Sequence, residues 1–81
     1  MKTYLIIPCS GRTGVARVDQ VKEVQARSYA KACVIAGYTT IYGKKPGCNF
    51  KGQRCWRQLS GSVVVRLQDP RKEFGGGNVP H

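Results

Sequence analysis

The first strong pattern in the chain is an apolar, β-rich run at its start, "TYLIIPC", residues 3–9. Aromatic and β-branched residues at this density predict a strand. Pro8 has no backbone N–H for a sheet ladder, so it should lie near the end of the strand or on a sheet edge. A second run, "SVVVRL" at 62–67, follows a short strand and a turn composition at Ser60–Gly61. The patterned part of the chain therefore begins and ends with strands.

The segment "VARVDQVKEVQAR", residues 15–27, has valines at every third position, which fits neither the helical period of 3.6 nor the strand period of two. Its β-branched content favours a strand that pairs with the first one. A bulge near Asp19–Gln20 would then turn three apolar side chains inward, those of Val18, Val24 and Ala26. The alternative is one long helix over residues 15–36.

The stretch "SYAKACVIAG", residues 28–37, predicts a helix. Ser28 can accept a hydrogen bond from the first helical turn, and Gly37 stands where a left-handed residue often follows a helix. The predicted packed face consists of Ala30, Cys33 and Val34, extended by Ala26 or Gly37. The next five residues, "YTTIY" at 38–42, predict a further strand.

These elements predict the order β-β-α-β-β. A hairpin followed by a helix across one sheet face gives a small two-layer α+β domain, an antiparallel sheet with one helix packed on one face. The chain has 81 residues, which is the size of one domain. We assign the domain to residues 1–68, and we predict that the Pro- and Gly-rich residues 69–81 form a flexible tail.

The charge of the chain is strongly positive, with 14 Lys and Arg residues against four Asp and Glu and a net charge of +10. The carboxylates are Asp19, Glu23, Asp69 and Glu73, so none lies between residues 24 and 68. Repulsion within such a surface is relieved by an acidic partner, of which nucleic acid is the commonest and an acidic protein or an anionic membrane the next. Eight cations lie in this interval: Arg27, Lys31, Lys44, Lys45, Lys51, Arg54, Arg57 and Arg66.

The densest part of this interval is "KKPGCNFKGQRCWRQ", residues 44–58. Its Pro, Gly and Asn predict a projecting loop. Tyr42, Phe50 and Trp56 offer faces on which bases could stack, or Phe50 and Trp56 fold back as a small core. The predicted nucleic-acid contacts are Lys44, Lys45, Lys51, Arg54, Trp56 and Arg57 in the loop, with Arg27 and Lys31 on the exposed side of the helix.

The hexapeptide "CSGRTG", residues 9–14, follows a strand and is similar to part of the cysteine-phosphatase loop, in which a thiolate lies under a ring of backbone amides. In that family the arginine stands six residues after the cysteine, whereas Arg12 stands three residues after Cys9. Geometry comes before residue identity in such sites, so we interpret residues 9–14 as a Gly-rich turn. We expect no enzymatic activity and no cofactor.

The cysteines at 9, 33, 48 and 55 lack the close pairs typical of structural zinc, so we expect no metal site. A disulfide between Cys48 and Cys55 is sterically feasible, although a reducing cytoplasm argues against it. The apolar stretch in "MKTYLIIPCSGR" is too short for a signal peptide, and no run reaches the length of a membrane span. We therefore expect a cytoplasmic protein with reduced thiols and no membrane partner.

The predicted hairpin followed by "VQARSYAKACVIAG", residues 24–37, resembles the strand-then-helix entry of small bacteriophage or prophage accessory proteins. The resemblance implies a mobile-element protein that binds DNA or a host factor. The charge pattern predicts a small non-enzymatic protein that binds DNA or RNA through the phosphate backbone more than through sequence. The alternative is a phage-type modulator that docks on an acidic host protein.

Overall fold

The computed structural model of the protein describes residues 1–68, which form a four-stranded antiparallel sheet and one helix. The predicted α+β class and the order β-β-α-β-β are confirmed. The tail predicted at residues 69–81 lies outside the described residues. The elements are β1 (Lys2–Ser10), β2 (Lys22–Ala26), α1 (Tyr29–Ile35), β3 (Gln53–Gln58) and β4 (Gly61–Leu67).

The strands stand in the order β2-β1-β4-β3, with the two most apolar runs of the chain in the centre. β1 and β4 pair from Tyr4↔Leu67 to Ser10↔Gly61. β2 forms one edge and carries charged Lys22 and Glu23, which is a composition that discourages further strand pairing. α1 spans seven residues, and no helix within residues 1–68 is long and apolar enough to cross a membrane.

The second half of the segment 15–27 forms a strand, so the alternative of one long helix over 15–36 is wrong. At Asp19–Gln20 the chain forms a 3-10 turn, Val18–Gln20, instead of a bulge. Val24 and Ala26 do pack on the core, but the predicted inward Val18 is 78% exposed. The physical reason lies in Pro8, whose carbonyl oxygen accepts a hydrogen bond from Arg17 N at 2.8 Å. Because Pro8 has no N–H to donate on the same side, the ladder cannot continue regularly there, and Val18 is not turned inward.

Helix α1 begins as predicted, because the Ser28 side chain accepts a hydrogen bond from Lys31 N at 3.2 Å. Gly37 follows the helix with φ of +95°, a left-handed conformation that glycine adopts without strain. The buried residues of this stretch are Ala32, Cys33 and Ala36, so Cys33 was correctly predicted but Ala30 and Val34 are exposed.

The orientation of α1 follows from its largest side chain. Tyr29 packs against the core, and its ring makes an edge-to-face contact with Tyr4 at 5.0 Å between centroids. Positions three, four and seven residues after Tyr29 face the same way on a helix, and these are the buried Ala32, Cys33 and Ala36. The small side chains allow α1 to approach the sheet closely.

The strand predicted at 38–42 does not form, and the third strand is Gln53–Gln58 instead. Thr39 is held by a side chain rather than by a ladder, since Thr39 N donates to Gln58 Oε1 at 3.1 Å and Gln58 Nε2 donates to Thr39 O at 2.8 Å. Ile41 is exposed. The alternation of "YTTIY" therefore does not reflect a sheet position, since residues 38–42 belong to no strand or bridge.

The core lies between α1 and one face of the sheet, and it consists of Tyr4, Ile6, Ala26, Ala32, Cys33, Ala36, Trp56, Val63, Val65 and Leu67. The other face of the sheet has no helix over it within the described residues, and we call it the open face. Its central side chains, Leu5, Ile7 and Val64, are half-buried, whereas Arg57 and Arg66 on its β3–β4 side are exposed.

Candidate nucleic-acid interface

Residues 43–50, here called the edge segment, run along the outer edge of β3. Lys44 lies opposite Trp56, and Phe50 lies opposite Gln53 across a tight turn. Lys45 N donates to the carbonyl oxygen of Cys55 at 3.0 Å. The region predicted as one projecting loop is therefore an edge segment attached to a strand, with a turn at Pro46 and Gly47.

Asn49 closes the gap where the edge segment leaves the β3 ladder. Its side-chain Nδ2 donates to Lys45 O at 2.7 Å, and its Oδ1 accepts from Cys55 N at 3.2 Å. The side chain thus takes the place of a backbone group in the ladder and satisfies a donor that would otherwise be unpaired. This contact holds the cations of the edge segment in place relative to β3.

The structure brings four of the predicted cations together on the β3 side. Trp56 and the paired Lys44 lie on the side of the sheet that faces α1. Because successive residues of a strand point to opposite faces, the next residues, Lys45 and Arg57, lie on the open face. Arg57 is exposed and Lys45 is half-buried. Lys44 and Lys51 are exposed, the first at the edge of β3 and the second in the turn that leads into it.

Two predicted contact residues serve the fold instead. Arg54 lies on the face that carries α1, with its guanidinium carbon 4.9 Å from the centre of the Tyr29 ring. Its Nη1 donates to the carbonyl oxygens of Phe50 and Gln53, each at 2.6 Å. Trp56 is 4% exposed and belongs to the main core. Its ring therefore has no exposed face for the base stacking that the sequence had predicted.

Arg27 and Lys31 are exposed, the first after the end of β2 and the second in the first turn of α1. One cation outside the predicted contact set lies with the cations of the β3 side. Arg66 pairs with Gln53 across β3 and β4, and therefore lies in the same row of the open face as Phe50. The sequence did hold a signal for Arg66, since it interrupts the apolar run of β4 at a position that must face away from the core.

Charge is distributed unevenly across the sheet. Residues 1–68 contain 12 of the 14 Lys and Arg residues but only two carboxylates, Asp19 and Glu23. Both acids belong to the β2 side, Asp19 in the 3-10 turn and Glu23 opposite Leu5. Glu23 accepts a hydrogen bond from Gln68 Nε2. The β3 side therefore carries uncompensated positive charge.

The four cysteines have free thiols. Burial raises the pKa of Cys33 to about 11. Burial, with a hydrogen bond to Cys48, raises the pKa of Cys55 to about 12. A thiol that keeps its proton at neutral pH is a poor nucleophile. Within residues 1–68 no three His, Cys, Asp or Glu side chains are grouped so that they could hold a metal ion.

No protein-family model, curated protein or solved structure matches the chain. Its function is therefore inferred from the residues of the interface.

Proposed function

We propose that the protein binds nucleic acid without catalysis and holds the phosphate backbone against the β3–β4 side of its surface. The separation of charge is the observation that supports this proposal. Lys45, Arg57 and Arg66 lie on the open face beside β3 and β4, and Lys44 and Lys51 are exposed nearby. Phosphates carry the negative charge that such a surface lacks.

Contacts to phosphates position a protein on nucleic acid but carry no sequence information. A surface that consists mainly of Lys and Arg therefore favours binding with little sequence preference. We propose that the protein acts in the cytoplasm, where its four thiols would remain reduced. The resemblance of residues 24–37 supports an origin in a phage or another mobile element.

The salt dependence of binding tests this function. Labelled single- and double-stranded DNA and RNA are titrated with the protein across a salt series. The logarithm of the association constant should fall linearly with the logarithm of salt concentration, by about 0.7–0.9 for each phosphate neutralised. We call this gradient the salt slope. Absence of binding at the lowest salt concentration would overturn the proposal.

Replacing Lys44, Lys45 and Lys51 together by Gln should leave the fold intact and make the salt slope shallower. All three lie outside the core. An unchanged slope would move the contact surface elsewhere, with Arg27 and Lys31 as the next residues to replace.

A second candidate function, docking on an acidic host protein, is supported by a different surface. Ile41 and Leu59 are 80% and 89% exposed, and they line one cleft together with Tyr42 and Arg17. Apolar side chains clustered beside a cation are typical of a protein contact.

Affinity capture from a nuclease-treated lysate separates the two functions. Under the second, a discrete protein is retained, and the uncharged substitution Leu59→Ser weakens its retention. Under the first, nuclease removes the bound partner, and Leu59→Ser has no effect on nucleic-acid affinity.

A further inference from the structure

Two clefts lie at opposite ends of β3 on the open face. The first, here called the aromatic cleft, is lined by Phe50, Lys51 and Arg66. The second, here called the basic cleft, is lined by Lys45, Arg57 and the backbone around Gly11 and Gly61. On β4 the aromatic cleft lies at Arg66 and the basic cleft at Ser62. These residues are four positions apart, which is roughly 13 Å along a strand.

The aromatic cleft presents Phe50 in a fixed position. The carbonyl oxygen of Phe50 accepts from Gln53 N at 2.9 Å and from Arg54 Nη1 at 2.6 Å. Arg54 is itself packed on the Tyr29 ring. The turn that carries Phe50 is therefore attached to the core, yet the Phe50 side chain remains 56% exposed.

Exposure of one apolar residue is ordinary, and Leu59 is more exposed than Phe50. Phe50 differs because its ring shares a cleft with two cations and lies in the same row of the open face as Arg66. An aromatic face beside Lys or Arg is the combination that proteins use to stack a base and hold its phosphate.

The basic cleft has a floor of bare backbone. A Cβ at Gly61 would lie 2.2 Å from the Cys9 carbonyl oxygen, so no side chain is possible there. Above this floor stand Lys45 and Arg57, neither of which has an ion-pair partner within residues 1–68. Glu23 and Arg57 are separated by three strand spacings across the sheet and by four residues along the strand direction. At normal spacings this corresponds to roughly 20 Å. That distance exceeds the screening length in physiological salt.

We propose that the nucleic acid bound by this protein is single-stranded, with one base stacked on Phe50 and a backbone phosphate in the basic cleft. This inference rests on the proposed function. A duplex keeps its bases stacked on one another, and exposing one to Phe50 would cost a few kcal/mol. A single strand offers an unstacked base and a phosphate to the same face of the protein.

The first test replaces Phe50. Phe50→Ala should weaken affinity for a single-stranded oligonucleotide about 5–150-fold while the salt slope stays the same, because a ring is lost and no charge is changed. Phe50→Trp should restore affinity, and Phe50→Leu, which is apolar but has no ring, should not. Unchanged affinity in Phe50→Ala, or equal rescue by Leu, would overturn the stacking contact.

The second test replaces Lys45 and Arg57 together by Gln. The salt slope measured with a single-stranded oligonucleotide should become shallower by about 0.7, because one phosphate contact is lost. The matched control is Lys2→Gln with Arg17→Gln, which removes the same charges from outside both clefts and should leave the slope unchanged. Equal changes in both double variants would overturn the basic cleft as a defined site.

Two comparisons with the unmodified protein separate this inference from the proposed function. Tighter binding of a duplex than of a single strand would overturn the single-strand assignment and leave nucleic-acid binding intact. If no nucleic acid binds at low salt, titration with inorganic phosphate is followed by NMR at the Arg57 and Gly61 amides. Shifts there would assign the cleft to free phosphate and overturn both proposals, and their absence would overturn the basic cleft as well.

Discussion

Phe50 and Trp56 belong to the same cation-rich stretch but have opposite environments. Trp56 is 4% exposed and packs with Val63 and Val65 in the core, whereas Phe50 is mostly exposed. Their positions on β3 and its turn explain the difference, because Trp56 faces α1 and Phe50 is paired with Gln53 on the open face. The two rings should therefore respond differently to truncation.

Trp56→Ala should reduce the free energy of unfolding by about 3–5 kcal/mol, since it leaves a large cavity in a small core. Affinity for nucleic acid, corrected for the folded fraction, should not change. Thermal unfolding and oligonucleotide titration on the same samples measure both quantities. The matched control, Phe50→Ala, should show the reverse, with little loss of stability and weaker binding. Loss of intrinsic affinity in a folded Trp56→Phe variant would instead place Trp56 in the contact surface.

At the scale of elements, the edge segment matters most, because it carries cations without being a regular strand. From Gln53 to Trp56 β3 takes three steps, whereas the edge segment takes six steps over the same length, from Lys44 to Phe50. The surplus contains the turn at Pro46 and Gly47. Two hydrogen bonds tie the residues after this turn back to β3, from Cys55 N to Asn49 Oδ1 and from Cys55 Sγ to the carbonyl oxygen of Cys48. Asn49 Nδ2 also donates to the carbonyl oxygen of Lys45 within the edge segment.

Asn49→Ala should free the middle of the edge segment and lower stability by about 1–3 kcal/mol, because Cys55 N loses its acceptor in a buried position. Hydrogen exchange at the Cys55 amide should accelerate. Asn49→Asp is the matched control, since it keeps the acceptor for Cys55 N but loses the donor to Lys45 O, and it should retain most of the protection. Unchanged exchange in Asn49→Ala would show that the edge segment is held by its other contacts to β3.

At the scale of the whole molecule, a net charge of +10 on 81 residues opposes folding through self-repulsion. Moderate salt screens this repulsion over about 8–10 Å, so the free energy of unfolding measured in urea should rise between low and physiological ionic strength. Lys31→Glu lowers the net charge by two and should flatten this dependence. A fall in stability with added salt would mean that attractive charge pairs outweigh the repulsion.

The sequence by itself was sufficient for the class of fold and for the boundaries of its strongest elements. "TYLIIPC" and "SVVVRL" were recognisable as strands because apolar β-branched runs have few other stable structures. Ser28 and Gly37 bounded the helix because capping depends on local geometry. The excess of positive charge was also evident from the sequence, because it follows from composition. The expectation of an acidic partner follows from that excess.

Only the tertiary structure decided which side chains are buried in the core and which are exposed. The rotation of α1 depends on the packing of Tyr29 against Tyr4, a contact between residues distant in the chain. Residues 38–42 form no strand, and Thr39 bonds to the distant Gln58 side chain instead of to a ladder. Trp56 and Arg54 were drawn into the core and its rim, while Arg66 joined Phe50 on the open face, because strand register places alternate residues on opposite sides of a sheet. Register is set by pairing between distant segments, and no local pattern specifies it.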